Sequence, residues 1–215
     1  MFKSAKLVSN AAHFHGDDLV DWSIIDAQST LSPEFPPPFP EYTNQLTFYS
    51  ANKQEIRVAV PTGKISRINQ NHFFPGTFNI GEKLLFSGFS NPGPLSFEFS
   101  KSLYGIGINI QSDPQVPSGT PAPFPFTALV KVFAHNHQNL GQFELAGLSQ
   151  IAAGSGTTFI GLTQEEGEIA QVTIEVIENG NSIPFALNTL RLKTYSLVPA
   201  QGFQSIRAYV THFAQ

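Results

Sequence analysis

There is no cysteine in these 215 residues, which excludes disulfides, thiolate metal sites and cysteine nucleophiles and leaves stability to packing. Charge is scarce as well. Asp, Glu, Lys and Arg make up 13% of the chain, against a usual share of about 25%, so the surface relies on Ser, Thr, Asn and Gln. With a net charge of −4 and no basic stripe, nothing here neutralises a phosphate backbone, and nucleic acid is excluded as a partner. No apolar run reaches the length of a membrane span, and the opening MFKSAKLVSNAAHFHGDD lacks the continuous apolar stretch of a secretory signal. Helical periodicity is almost missing too: the nearest approach, 164–169, is interrupted by Gly167.

What is present is alternation. NPGPLSFEFSKSLYGIGINI (91–110) opens on a Pro/Gly turn and runs through Leu95, Phe97 and Phe99 into Ile106, Ile108 and Ile110, with Ser96, Glu98 and Ser100 between. A period of two puts the apolar set on one buried sheet face and the polar set in water. Similar runs occur at 45–50, 55–60, 83–86, 126–135, 140–145, 157–162, 168–177, 185–192 and 205–213. Turn residues bracket nearly all of them, and Asn179-Gly180 after VTIEVIE is the clearest hairpin signal. The pattern predicts an all-β chain, a two-sheet antiparallel sandwich of jelly-roll, lectin-like or galactose-binding-like character. Residues 16–215 read as one sandwich domain and 1–15 as a tail or first strand. The proline-rich stretches 32–42 and 113–125 cannot donate a regular ladder and read as covering loops.

Six segments taken in order carry a resemblance: GDDLVDWSII (16–25), FFPGTFNIGEKLLFS (73–87), GPLSFEFSKSLYGIGINIQSD (93–113), FTALVKVFAHNHQNLGQFELAG (126–147), TTFIGLTQEEGEIAQVTIEV (157–176) and FALNTLRL (185–192). Together they resemble the secreted bacterial β-sandwich domains often found in proteins with a PEP-CTERM sorting tail. The resemblance implies an exported or cell-surface jelly roll of lectin-like shape with no demonstrated activity. It also places Asn188 where related domains often carry Asp or Asn. This sequence departs from that pattern in ending on QGFQSIRAYVTHFAQ, without a PEP motif, membrane span and basic residues.

Two His-x-His pairs stand out, His13/His15 and His135/His137. Alternate strand residues share a face, where two imidazoles could hold a metal. Against this, HNHQNLG reads as a turn between VKVFA and GQFEL, where polar residues belong anyway. Calcium is the metal for which oxygen donors are at hand: Asp17, Asp18 and Asp21 near the first pair, and Asn188 further on. For Asn188 a turn-bonding role is equally natural. For carbohydrate, an aromatic platform is expected. Trp22, flanked by Val20 and Ile24, reads as core, whereas Phe35, Phe39 and Tyr42 in the proline-rich loop are the rings that neighbouring prolines would hold outward.

A catalytic constellation is not apparent. Glu165, Glu166 and Glu168 cluster at a turn, where like charges repel and face solvent, while a glycosidase pair converges across a cleft from distant strands. Glu98, Glu144, Glu168 and Glu175 are the strand-borne glutamates such a pair would need to use. GSGTTF (154–159) lacks the Lys of a phosphate loop, and no G-x-S-x-G elbow occurs. The expectation is therefore a non-catalytic module with carbohydrate as its ligand class. The alternative is a structural or self-assembly domain working through edge strands or its Phe-rich surface.

Overall fold

The computed structural model describes residues 3–25, 42–70, 76–88, 93–113, 123–150 and 157–195. Among the described residues fifteen strands follow one another: β1 Lys6–Val8, β2 Asp18–Val20, β3 Gln45–Tyr49, β4 Glu55–Ala59, β5 Ser66–Asn69, β6 Lys83–Phe86, β7 Leu95–Leu103 and β8 Gly105–Ser112. Then come β9 Phe124–Phe133, β10 Asn139–Ser149, β11 Thr158–Thr163, β12 Ile169–Glu178, β13 Asn181–Ser182, β14 Phe185–Leu187 and β15 Leu190–Lys193. One 3-10 turn, Ala11–His13, is capped by the Asn10 side chain.

The strands form two antiparallel sheets. Sheet A runs β1-β11-β8-β14-β6-β5, with β15 and β2 attached beside β8; sheet B runs β10-β9-β12-β7-β4-β3, with β13 beside β12. The architecture is the all-β jelly-roll sandwich that alternation implied. Of the two strands in the alternating 91–110 run, β7 lies in sheet B and β8 in sheet A, with Tyr104 between them. Alternation fixes which face is apolar but not which sheet a strand joins. At Asn179-Gly180 the turn is as expected, both residues taking positive φ (48° and 79°) between β12 and β13.

Between the sheets, Leu95, Phe97 and Phe99 of β7 and Val172, Ile174 and Val176 of β12 face Ile106, Ile108 and Ile110 of β8 within one cluster of buried side chains. Trp22 belongs to that cluster at 0% exposure, edge-on to Phe48 at 5.5 Å between ring centres. Tyr42 belongs to it too, at 5% exposure. The expectation that Tyr42 is presented outward is thus corrected: its N–H donates to the Ile65 carbonyl at 2.9 Å, which draws the chain into the sandwich before β3. Phe35, Phe39 and the strand expected at 205–213 lie outside the described residues.

The outer face of sheet A is covered twice, which explains why β8 is buried on both faces. At one end Phe14 lies on a glycine floor. A Cβ on Gly107 would meet the Phe14 ring at 2.8 Å and Phe159 at 3.0 Å, and one on Gly105 would meet Phe14 at 3.1 Å. The glycines of YGIGINI therefore serve close packing, as their place inside a strand implied. At the other end Phe78 closes a small cluster with Ile68, Leu84, Phe86 and Ala186.

Residues 3–8 are sewn to both sheets. β1 pairs with β11, Ala5 N–H donates to the Leu140 carbonyl of β10 at 2.7 Å, and Lys3 and Lys6 both pair with Glu165. Hydrogen bonds from Lys3 and Lys6, with their charges, hold the Glu165 carboxyl down to about 2 from its ordinary 4.5. Because the folded value is the lower one, Glu165 supports the docked N-terminus above about pH 4.5 and loses that role as pH falls from 4.5 towards 2. The expected NMR titration of Glu165 inflects near pH 2 at low ionic strength. It moves up in high salt, since the pairs are exposed and screened. An inflection near 4.5 at low salt would contradict the clamp.

Candidate functional site

Sheet A forks. Along β8, Gly105–Gly107 pairs with β15, and Ile110–Ser112 pairs with β14. On their far sides β15 carries β2 and β14 carries β6. Between β14 and β15 the ladder is bridged by Asn188: its N–H donates to the Asn109 carbonyl at 3.2 Å, and its Oδ1 accepts the Asn109 backbone N–H at 3.0 Å. A side-chain carbonyl thus replaces a main-chain one. Asn188's own carbonyl is left to accept the Trp22 indole N–H at 2.6 Å, while its Nδ2 donates to Glu82 Oε1 at 2.8 Å. One residue ties β8, the segment after β2 and the approach to β6.

Where the strands part, the outer face opens into a cleft of about 880 Å3. Its floor is Asn109 with Asn188, Thr189 and Arg191. One wall is the N-terminal segment through His15, Asp17 and Asp18; the β3–β4 turn contributes Asn52, and the other wall is the loop from Thr77 to Glu82. Four of the expected metal donors are brought together here, His15 with the oxygen donors Asp17, Asp18 and Asn188.

These donors are already engaged. Asp18 Oδ1 accepts the N–H groups of Leu19 (2.8 Å) and Asn52 (2.9 Å), and Oδ2 accepts the Ser50 hydroxyl. Asp17 accepts the Thr194 N–H at 2.7 Å and the Thr194 hydroxyl. Glu82 Oε2 accepts the Asn79 N–H at 3.1 Å. Among the described residues no group of three or more His, Asp or Glu side chains is placed to hold a metal ion. Asp21 does not join the cleft lining; its Oδ1 caps the Ser23 N–H at 2.8 Å. His13 is exposed in the 3-10 turn and stands apart from His15 in the lining. His135 and His137 occupy the β9–β10 turn, His137 with φ 61° and its N–H on the Ala134 carbonyl at 2.9 Å.

The unengaged groups are different ones. Among the described residues, the Arg191 guanidinium, the His15 imidazole, the Thr157 and Thr189 hydroxyls and the Asn79 amide line the cleft with no hydrogen bond or ion pair from their side chains. Carboxylates and Asn188 fix the walls; these five are available to a ligand. The described rings in the lining, Phe14 and Phe78, are 5% and 2% exposed and form walls, so the aromatic platform expected of a sugar site is not present among them. The expected glutamates stand elsewhere. Glu98 pairs with Arg57 at 3.3 Å, Glu175 accepts the Ser182 hydroxyl, and neither Glu144 nor Glu168 lines the cleft.

Sequence reading did not single out Asn109, Arg191, Thr189 or Glu82. The signal was there for two of them: Asn109 in GIGINIQ and Arg191 in LRL are polar residues at outward positions of otherwise apolar strands. The cleft depends on Phe14 as a wall. Gly107→Val is expected to push Phe14 off its floor, costing about 1–3 kcal/mol as an overpacking change. Denaturant unfolding checks this, and an unchanged unfolding midpoint would contradict the packing of Phe14 on Gly107.

No family model matches the chain, and no curated protein matches it in sequence. Among solved structures it is similar to a DUF4465 family protein from Bacteroides caccae at 13% identity and TM-score 0.41, covering 89% of this chain and all of that one. It is also similar to the CBM22-1 xylan-binding domain of Paenibacillus barcinonensis Xyn10C at 10% identity and TM-score 0.35, covering 65% of this chain and 87% of that one. A family 11 carbohydrate-binding module from Clostridium thermocellum, in complex with a β-1,3-1,4-mixed-linked tetrasaccharide, matches at 10% identity and TM-score 0.27, covering 91% and 99%.

Proposed function

We propose that this chain is a non-catalytic carbohydrate-binding module whose site is the cleft at the sheet fork. The observation that carries the reading is the division of labour in the lining: Arg191, His15, Thr157, Thr189 and Asn79 are unengaged, while Asp17, Asp18, Glu82 and Asn188 are held by donors and acceptors of the fold. Convergent polar groups on walls fixed by their own hydrogen bonds suit a polyhydroxylated ligand, because little ordering remains to be done on binding. Catalysis is not part of the reading, since the cleft's carboxylates are used to build it. The resemblance to exported domains adds an extracellular setting to this proposal.

A glycan array probed with the purified chain, with calcium and with chelator, tests it. Reproducible signal on one glycan class is expected, equal under both conditions because the Asp17 and Asp18 oxygens already accept protein donors. Arg191→Ala is expected to lower the signal at least tenfold without changing the melting temperature, as Arg191 is exposed. A wild-type chain that binds no glycan under either condition would sink the proposal. Loss of signal under chelator would instead bring calcium into the site.

A further inference from the structure

The charges of the cleft are of both signs and unpaired with each other. Asp17, Asp18 and Glu82 accept only neutral donors, namely backbone N–H groups, the hydroxyls of Ser50 and Thr194 and the Asn188 amide. Neither they nor Arg191 takes part in an ion pair among the described residues. The cleft thus holds three anionic groups and one guanidinium.

We propose that the glycan this cleft takes is an uncharged one, and that acidic polysaccharides are turned away. The inference rests on the carbohydrate-binding reading above. An anion brought among three carboxylates meets net repulsion, on the order of 1 kcal/mol per unit pair at about 4 Å in water and several-fold more where water is excluded. An amine would find the carboxylates but not match Arg191. A neutral sugar offers hydroxyls that both donate and accept. Its O–H groups can donate to remaining lone pairs of Asp17 and Glu82, and its oxygens can accept from Arg191, in charge-assisted hydrogen bonds that require no formal charge on the ligand. The net field of the walls therefore acts as a filter, and the mixed donors and acceptors provide recognition.

Affinity electrophoresis of the full chain tests this, in gels holding a neutral mixed-linked β-glucan or xylan, polygalacturonate, or glycol chitosan, at about 50 and 500 mM salt. The expected result is retardation by a neutral polymer, equal at both salts because no ligand charge is screened, and none by polygalacturonate. Arg191→Ala should abolish the retardation. Arg191→Glu should abolish it too without creating affinity for polygalacturonate. Stronger retardation by polygalacturonate or by glycol chitosan, falling with salt, would overturn the uncharged class while leaving carbohydrate binding intact. No retardation in any gel, together with a silent array, would remove both readings.

Discussion

Trp22→Ala is expected to lose about 3–5 kcal/mol of folding stability, the range for emptying a large aromatic from a close-packed core. Three observations place it there. The side chain is fully buried; it packs edge-on against Phe48 at 5.5 Å and tilted against Phe97 at 6.5 Å; and its indole N–H donates to the Asn188 carbonyl at 2.6 Å. Phe48 and Phe97 belong to sheet B, while Asn188 bridges the fork in sheet A, so one side chain joins both sheets at the base of the cleft. Trp22→Phe separates the contributions. It keeps most of the packing and orphans the Asn188 carbonyl, for which about 1–3 kcal/mol is expected. Circular dichroism in denaturant reads both variants, since Trp22 is the sole tryptophan and its removal silences tryptophan fluorescence. A loss below about 1 kcal/mol for the alanine variant would contradict the packing described here.

Asp18→Ala is the second large effect. Asp18 is 5% exposed, and its carboxylate accepts from Leu19, Asn52 and Ser50, the last two in the β3–β4 turn. Hydrogen bonds to a charged acceptor contribute about 1.5–3 kcal/mol each, and donors left buried without a partner add their desolvation cost. A total loss of about 3 kcal/mol is expected, since the terms do not sum independently. Asn52 also forms part of the cleft, so under the proposed function the same substitution is expected to loosen that wall and weaken glycan binding at least tenfold. Asp18→Asn should fall between, because the amide oxygen can still accept the Leu19 and Asn52 N–H groups while an N–H group replaces the acceptor of the Ser50 hydroxyl. Calcium-dependent stability of the wild type, lost in Asp18→Ala, would instead make the carboxylate a metal ligand.

The period-two pattern made the sandwich legible because sheet burial writes itself into alternation. Runs such as Phe97 with Phe99, or Ile106 with Ile108 and Ile110, placed the core directly. Two short strands left no such mark: Lys6–Val8 and Asp18–Val20 span three residues each. Ser66–Asn69, buried at Ser66, Arg67 and Ile68, does not alternate at all, because the Phe78 loop covers its outer face. The site was half legible for a related reason. Asp17, Asp18 and Asn188 drew notice as oxygen donors, and they do meet in one cleft. In the structure they accept or donate bonds that hold the walls, while the free groups of the lining are Arg191, Thr189, Thr157, Asn79 and the expected His15. No local pattern reports which polar side chains the fold will use. That follows from the break between Leu187 and Leu190, where the 185–192 run changes neighbours from β6 to β2.

The most direct measurement is amide NMR of the full chain titrated with a soluble neutral oligosaccharide. Shifts are expected at residues 15–19, 77–82 and 188–191, accompanied by movement of the lone Trp22 indole N–H resonance through its bond to Asn188. Binding whose shifts cluster on sheet B or the β9–β10 turn, with the cleft and the indole unmoved, would contradict the cleft as the binding site.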